Sequence, residues 1–144
     1  MTQRTTAMGL WTDASQFFEA ATILTESKNR RVSSVTYYLL GHAIELVLKS
    51  FLLSQGKSLK ILKNHLGHNL SCTLEMAMAQ RNNGVNACIA EYRSKIELLN
   101  QYYSAKHFEY RVTGTKTLPR PQDLMRFLER MLGEVRPLAR QSLK

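Results

Sequence analysis

The chain has 144 residues, 44% hydrophobic and 22% charged, which is the size and composition of one folded, soluble domain spanning residues 1–144. Twenty Lys and Arg against eleven Asp and Glu leave a net charge of +9, so nucleic acid, a nucleotide or an acidic protein is the natural class of partner. Seven Gly and three Pro among many Leu, Ala, Met, Glu, Lys and Arg favour helix over sheet, and the two cysteines, Cys72 and Cys88, match no metal or redox spacing and read as reduced, packed thiols.

Residues 1–10 read as a polar, frayed start without the basic and apolar regions of a signal peptide, so a cytoplasmic location is expected. A first helix is predicted from Thr12 or Asp13, either of which can cap it, to about Lys28. Trp11, Phe17, Ala21 and Leu24 share its apolar face, with Phe18 beside them. The basic link SKNRRVSS follows, and Ser33 or Ser34 offers the cap of a second helix.

That second helix, about Val32–Leu53 and ended by Gly56, is apolar almost all round, as befits the middle of a bundle. Yet His42, Glu45 and Lys49 recur at spacings of three and four and fall along one line of it. A membrane span is rejected, because Glu and Lys near a bilayer centre cost about 2.5–3.5 kcal/mol each. Buried in a bundle, such groups cost several kcal/mol unless each is paired or hydrogen-bonded. The stripe is therefore either an exposed Glu45–Lys49 pair with a filler histidine, or a structural polar network of His42, Glu45 and Lys49 completed by His68 from the segment GHNL.

KSLKILKNHLGHNL is a connector with room for one helical turn. A third helix is predicted from about Asn69 to Gln80, with Leu70, Leu74 and Ala77 inward. RNNGVN reads as a turn, since Asn-Gly adopts positive φ readily. A fourth helix, about Asn86–His107, is striped by Ile89, Tyr92, Ile96, Leu99 and Tyr103. Residues 110–121 break the helical pattern with β-branched residues and prolines. The last helix runs from Pro121 to Ser142, with Arg126, Arg130, Arg136, Arg140 and Lys144 clustered opposite its apolar face.

Several chemistries find no motif. HLGH and HAIE offer histidines and a glutamate at helical spacing, but no HExxH, CxxC or ExxH is present, so no metal is expected and no cofactor either. GxSxG, GxxxxGK[ST] and GxGxxG are absent. Two basic regions remain as candidate ligand-binding sites. One is the arginine face of the last helix, including Arg126 and Arg130; the other is the aromatic–basic run YYSAKHFEYR, with Lys106, Tyr110 and Arg111. A ring-rich helix end is also what a packed core looks like.

The order GHAIELVLKSFLLSQG, GHNLSCTLEMA and KHFEYR resembles the HEPN domains, through Ala43, Glu45, Leu48, Lys49 and Leu52, then Gly67, His68 and Leu70, then Tyr110 and Arg111. The resemblance implies an all-α, up-and-down bundle of four to five helices that commonly forms a homodimer. Many HEPN members are ribonucleases, often toxins paired with antitoxins. Others bind nucleotides, RNA or partner proteins, or accompany a nucleotidyltransferase. The ribonucleases carry Arg followed, after four to six residues, by His. Here His42 lies eleven residues after Arg31 and His107 fourteen after Arg93. A general acid/base histidine beside a phosphate-binding arginine is what RNA cleavage needs. The expectation is thus a non-catalytic domain that binds a nucleotide, nucleic acid or partner protein. The alternatives are an endoribonuclease with a site rearranged around His68, His107 or Arg111, and an antitoxin-like or adaptor bundle.

Overall fold

The computed structural model describes residues 4–27, 33–109 and 114–142. These fold as α1 (Ala7–Glu26), α2 (Ser34–Ser54), the short α3 (Leu59–Ile61, continued by a π-helical turn over Leu62–Leu66), α4 (Leu70–Met78), α5 (Asn83–Tyr103) and α6 (Pro121–Gln141). No strand occurs among the described residues, so the domain is all-α there. The helices exceed the expected four to five because the turn in the connector is a helix of its own.

α1 starts five residues earlier than its sequence suggested. Thr6 is extended and accepts the Gly9 amide at 2.9 Å, and good helix formers follow it at once. Thr12 lies inside the helix and donates to the Met8 carbonyl at 2.9 Å. Ala7, Ala14 and Ala21, seven residues apart, are fully buried, so small side chains let α1 approach closely, whereas Leu24, expected inward, is exposed. Ser33 caps α2, accepting the Thr36 amide, and Gly56 stops it at φ 92°.

The turn before α5 also differs. The left-handed residue is Arg81, at φ 59°, while Asn82 accepts the Val85 amide and the Asn-Gly pair already belongs to the helix. Gly84 faces α6, where a Cβ would meet the end of the exposed, movable Glu134 side chain at 2.3 Å. α5 ends at Tyr103 rather than His107, because the following turn has Lys106 at φ 61°.

α2 packs against α1, α4, α5 and α6. Its Leu40, Ile44, Leu48, Phe51 and Leu52 are fully buried, with Phe127 of α6 and Ile96 and Leu99 of α5 also in the core. Each such side chain contributes about 1.5–3 kcal/mol by leaving water. Trp11 ties α1 to α6 by donating Nε1–H to the Leu132 carbonyl at 2.9 Å. Lys95 of α5 reaches Asp123 of α6 at 3.1 Å. Cys88 is packed in the core, where burial pushes its thiol pKa up to about 11, whereas Cys72 is exposed rather than packed. No described helix is long and apolar enough to cross a membrane.

Candidate functional site

The middle of α2 carries the buried Glu45, only 3% exposed. Three donors from three parts of the chain meet its carboxylate. Lys49 Nζ lies 3.0 Å from Oε2, while His68 Nδ1 and Tyr103 Oη lie 2.8 and 2.7 Å from Oε1. Lys49 also donates to the Gly67 carbonyl at 2.5 Å. His42 Nδ1 is 3.1 Å from the Tyr103 hydroxyl and 4.0 Å from Glu45.

The local folding explains why these groups converge. One helical line places His42, Glu45 and Lys49 on the same flank of α2. Gly67, at φ 48°, breaks the chain sharply between α3 and α4 and turns its carbonyl onto Lys49. Asn69 then caps α4 by accepting the Cys72 amide at 3.2 Å. Asn100 of α5 clamps that cap: it accepts the Leu70 amide at 2.8 Å and donates to Asn69 Oδ1 and Ser71 Oγ at 3.0 and 3.1 Å. The clamp holds the loop bearing His68 over Glu45. Tyr103 comes from one turn further along α5, and its ring lies in the notch left by Gly41.

Proton positions follow from the electrostatics. Burial by itself raises the Glu45 pKa. The hydrogen bond from His68, the Lys49 charge and the Tyr103 and Lys49 hydrogen bonds outweigh it and hold the carboxyl below its ordinary 4.5. Glu45 is therefore an ionised acceptor. Tyr103 keeps its proton, its pKa raised by burial and by Glu45, and donates it to the carboxylate. Burial lowers the His42 pKa more than Glu45 raises it, so the imidazole is neutral and donates Nδ1–H to the Tyr103 oxygen. Phe17 packs edge-on against the His42 ring at 4.6 Å and Tyr38 stacks on it at 5.7 Å. His68 differs, since half of its side chain is exposed while Nδ1 is held by Glu45. Its other nitrogen is thus a base oriented by a carboxylate.

The four residues of the expected polar stripe are brought together. Tyr103, Asn100, Gly41 and the Gly67 carbonyl join them and were missed. In the sequence Tyr103 falls in an apolar stripe, although a buried tyrosine hydroxyl must find a partner, and that is the available signal.

The expected ligand-binding residues are not gathered in this way. Tyr110 and Arg111, also a catalytic candidate, lie outside the described residues, as does Lys144. Lys106 is exposed on its turn. Arg126 is 3.8 Å from Asp123, and Arg130 pairs with Glu91 and lies over the Tyr92 ring at 5.9 Å. Arg136 stands over Trp11 at 5.3 Å. In the aromatic run Tyr103 and Phe108 are buried, so neither offers a face to a base. His107 is half-buried beside Tyr102, at 5.7 Å, and its Nδ1 has no hydrogen-bond partner. Among the described residues no group of three or more His, Cys, Asp or Glu can hold a metal ion. No family model, curated protein or solved structure matches this chain.

Proposed function

We propose that the chain is a non-catalytic, HEPN-like helical domain of up-and-down topology that works, as a homodimer, by binding a nucleotide or nucleic acid. The supporting observation is the imbalance of charge at the surface. Lys57, Lys60, Lys63, Arg81, Lys106 and Arg140 enter no ion pair among the described residues, in a chain of net charge +9. Phosphate is the ligand chemistry such a surface suits, through point-charge contacts that displace counterions. Glu45, Lys49 and Tyr103 serve the interior: their donors and acceptors are consumed by one another. Filter binding of labelled RNA and of a labelled nucleotide across a salt series tests the reading. Affinity is expected to fall linearly on logarithmic axes as salt rises. Tight binding without a salt slope, or no binding at low salt, overturns it.

One observation favours a second reading, an endoribonuclease with a rearranged site. The Glu45–His68 pair leaves a half-exposed imidazole aimed by a buried carboxylate, which is the arrangement of a general base. Purified protein incubated with total RNA tests it. This reading expects cleavage that His68→Ala abolishes. Cleavage that survives in both His68→Ala and His107→Ala ends it, as does the absence of cleavage.

A further inference from the structure

We infer that the phosphate-bearing ligand is received on the connector between α2 and α4, along Lys57, Lys60, Lys63 and His65, rather than on the arginine face of α6. The inference rests on the binding function proposed above and gives that function a place. Between Glu45 and Glu75 the sequence holds no acidic residue, while it holds Lys49, Lys57, Lys60, Lys63, His65 and His68. Nothing within that stretch can neutralise its own cations.

The fold then turns this run outward. Leu62 and Leu66 are buried and anchor α3 to the body, whereas Lys60, Lys63 and His65 are exposed. The three lysines recur every third residue. Lys60 lies in α3 and Lys63 in the π-helical turn that continues it. Lys49, the remaining base of the stretch on α2, is spent inward on Glu45 and the Gly67 carbonyl.

Space for a ligand opens on both flanks. A shallow cleft of about 510 Å³ is lined by Lys57, His65, Leu66 and Met76, and also by Glu75, whose carboxylate is paired with Arg93 at 3.3 Å. A smaller one of about 200 Å³ is lined by Lys63, Leu59 and Leu62, and by the mutually paired Glu45 and Lys49. Cations beside apolar side chains, with the one carboxylate there already paired, fit a phosphate with a flat base beside it, whether the source is a free nucleotide or a polynucleotide strand. By contrast, Arg126 and Arg130 on α6 already face Asp123 and Glu91.

Fluorescence anisotropy with two probes, a labelled single-stranded RNA and labelled ATP, tests the placement. Three full-length proteins are compared at several salt concentrations: the parent, the triple variant Lys57→Gln/Lys60→Gln/Lys63→Gln, and Arg126→Gln/Arg136→Gln, whose guanidinium groups already face Asp123 and Trp11. Far-UV circular dichroism checks that each is folded. The triple variant is expected to bind at least about tenfold more weakly. Its logarithmic salt slope should be shallower by about 2, since each phosphate contact on a single strand contributes about 0.7. The α6 variant should stay within about threefold of the parent. Loss of RNA binding identifies a strand as the ligand, and loss confined to ATP identifies a free nucleotide. If the parent binds and the triple variant binds equally well, the placement is wrong while the binding function stands. If the parent binds neither probe at low salt, the binding function fails and the placement with it.

Discussion

Tyr103 lies so close to Gly41 that a Cβ at position 41 would stand 2.5 Å from the Tyr103 ring. Gly41→Ala is therefore expected to destabilise the domain by about 1–3 kcal/mol, the usual cost of overpacking a full core. The ring is one wall of the polar hub, so displacing it also lifts its hydroxyl off Glu45. Urea denaturation of the variant against the parent measures the cost. Equal midpoints would mean that α5 does not approach α2 as described.

Glu45 and Lys49 form a pair that is worth little whole and costs much broken. Glu45→Leu leaves the buried ammonium with the Gly67 carbonyl alone, and a loss of about 3–5 kcal/mol is expected. Glu45→Leu/Lys49→Met removes both charges and should recover most of that loss. A double variant no more stable than the single one, by chemical denaturation, would show that the pair is not buried in solution.

Acid should unfold the domain in two stages. His42 titrates below its ordinary 6.5 in the fold, so it binds protons more readily when unfolded. Its contribution is fully present above 6.5 and is lost as pH falls through the lower folded value. Glu45 behaves likewise from 4.5 downward. Lys49, His68 and Glu109 also act on His42, Lys49 and His68 opposing its protonation and Glu109 favouring it. Thermal midpoints measured from pH 8 to pH 3 should show both declines. The upper one should be missing in His42→Gln, and its persistence there would refute this assignment.

The two thiols should separate cleanly under a thiol reagent. Cys72 is exposed, while Cys88 is buried with a pKa of about 11, so little thiolate is present at neutral pH. One equivalent is expected to react rapidly in the native protein, and both in denaturant. Two fast equivalents in the native state would contradict the packing of α5 on α6.

Periodicity located the helices because most of them bury an apolar face, and Ser33, Gly56 and Pro121 marked ends that backbone chemistry dictates. The stripe of α2 was legible for the same reason: three ionisable residues on one line of an otherwise apolar helix demand partners. The partner hydroxyl of Tyr103 was not, because a tyrosine in an apolar register looks like ordinary core until its oxygen is asked for an acceptor. Thr6 and Arg81 were missed because competing signals stood beside them, Thr12 and Asp13 for the first and Asn-Gly for the second. The lysines of the connector do not stand out in the sequence, since their significance comes from the buried leucines between them.

The donors to Glu45 stand 4, 23 and 58 residues away along the chain. Lys49 can arrive as soon as α2 forms, but Tyr103 must wait until α5 has docked. A carboxylate that loses its water before all three have arrived is a penalty on premature collapse, so these bonds are expected to close on the native side of the folding barrier. Interactions formed that late govern how slowly a domain comes apart more than how quickly it assembles.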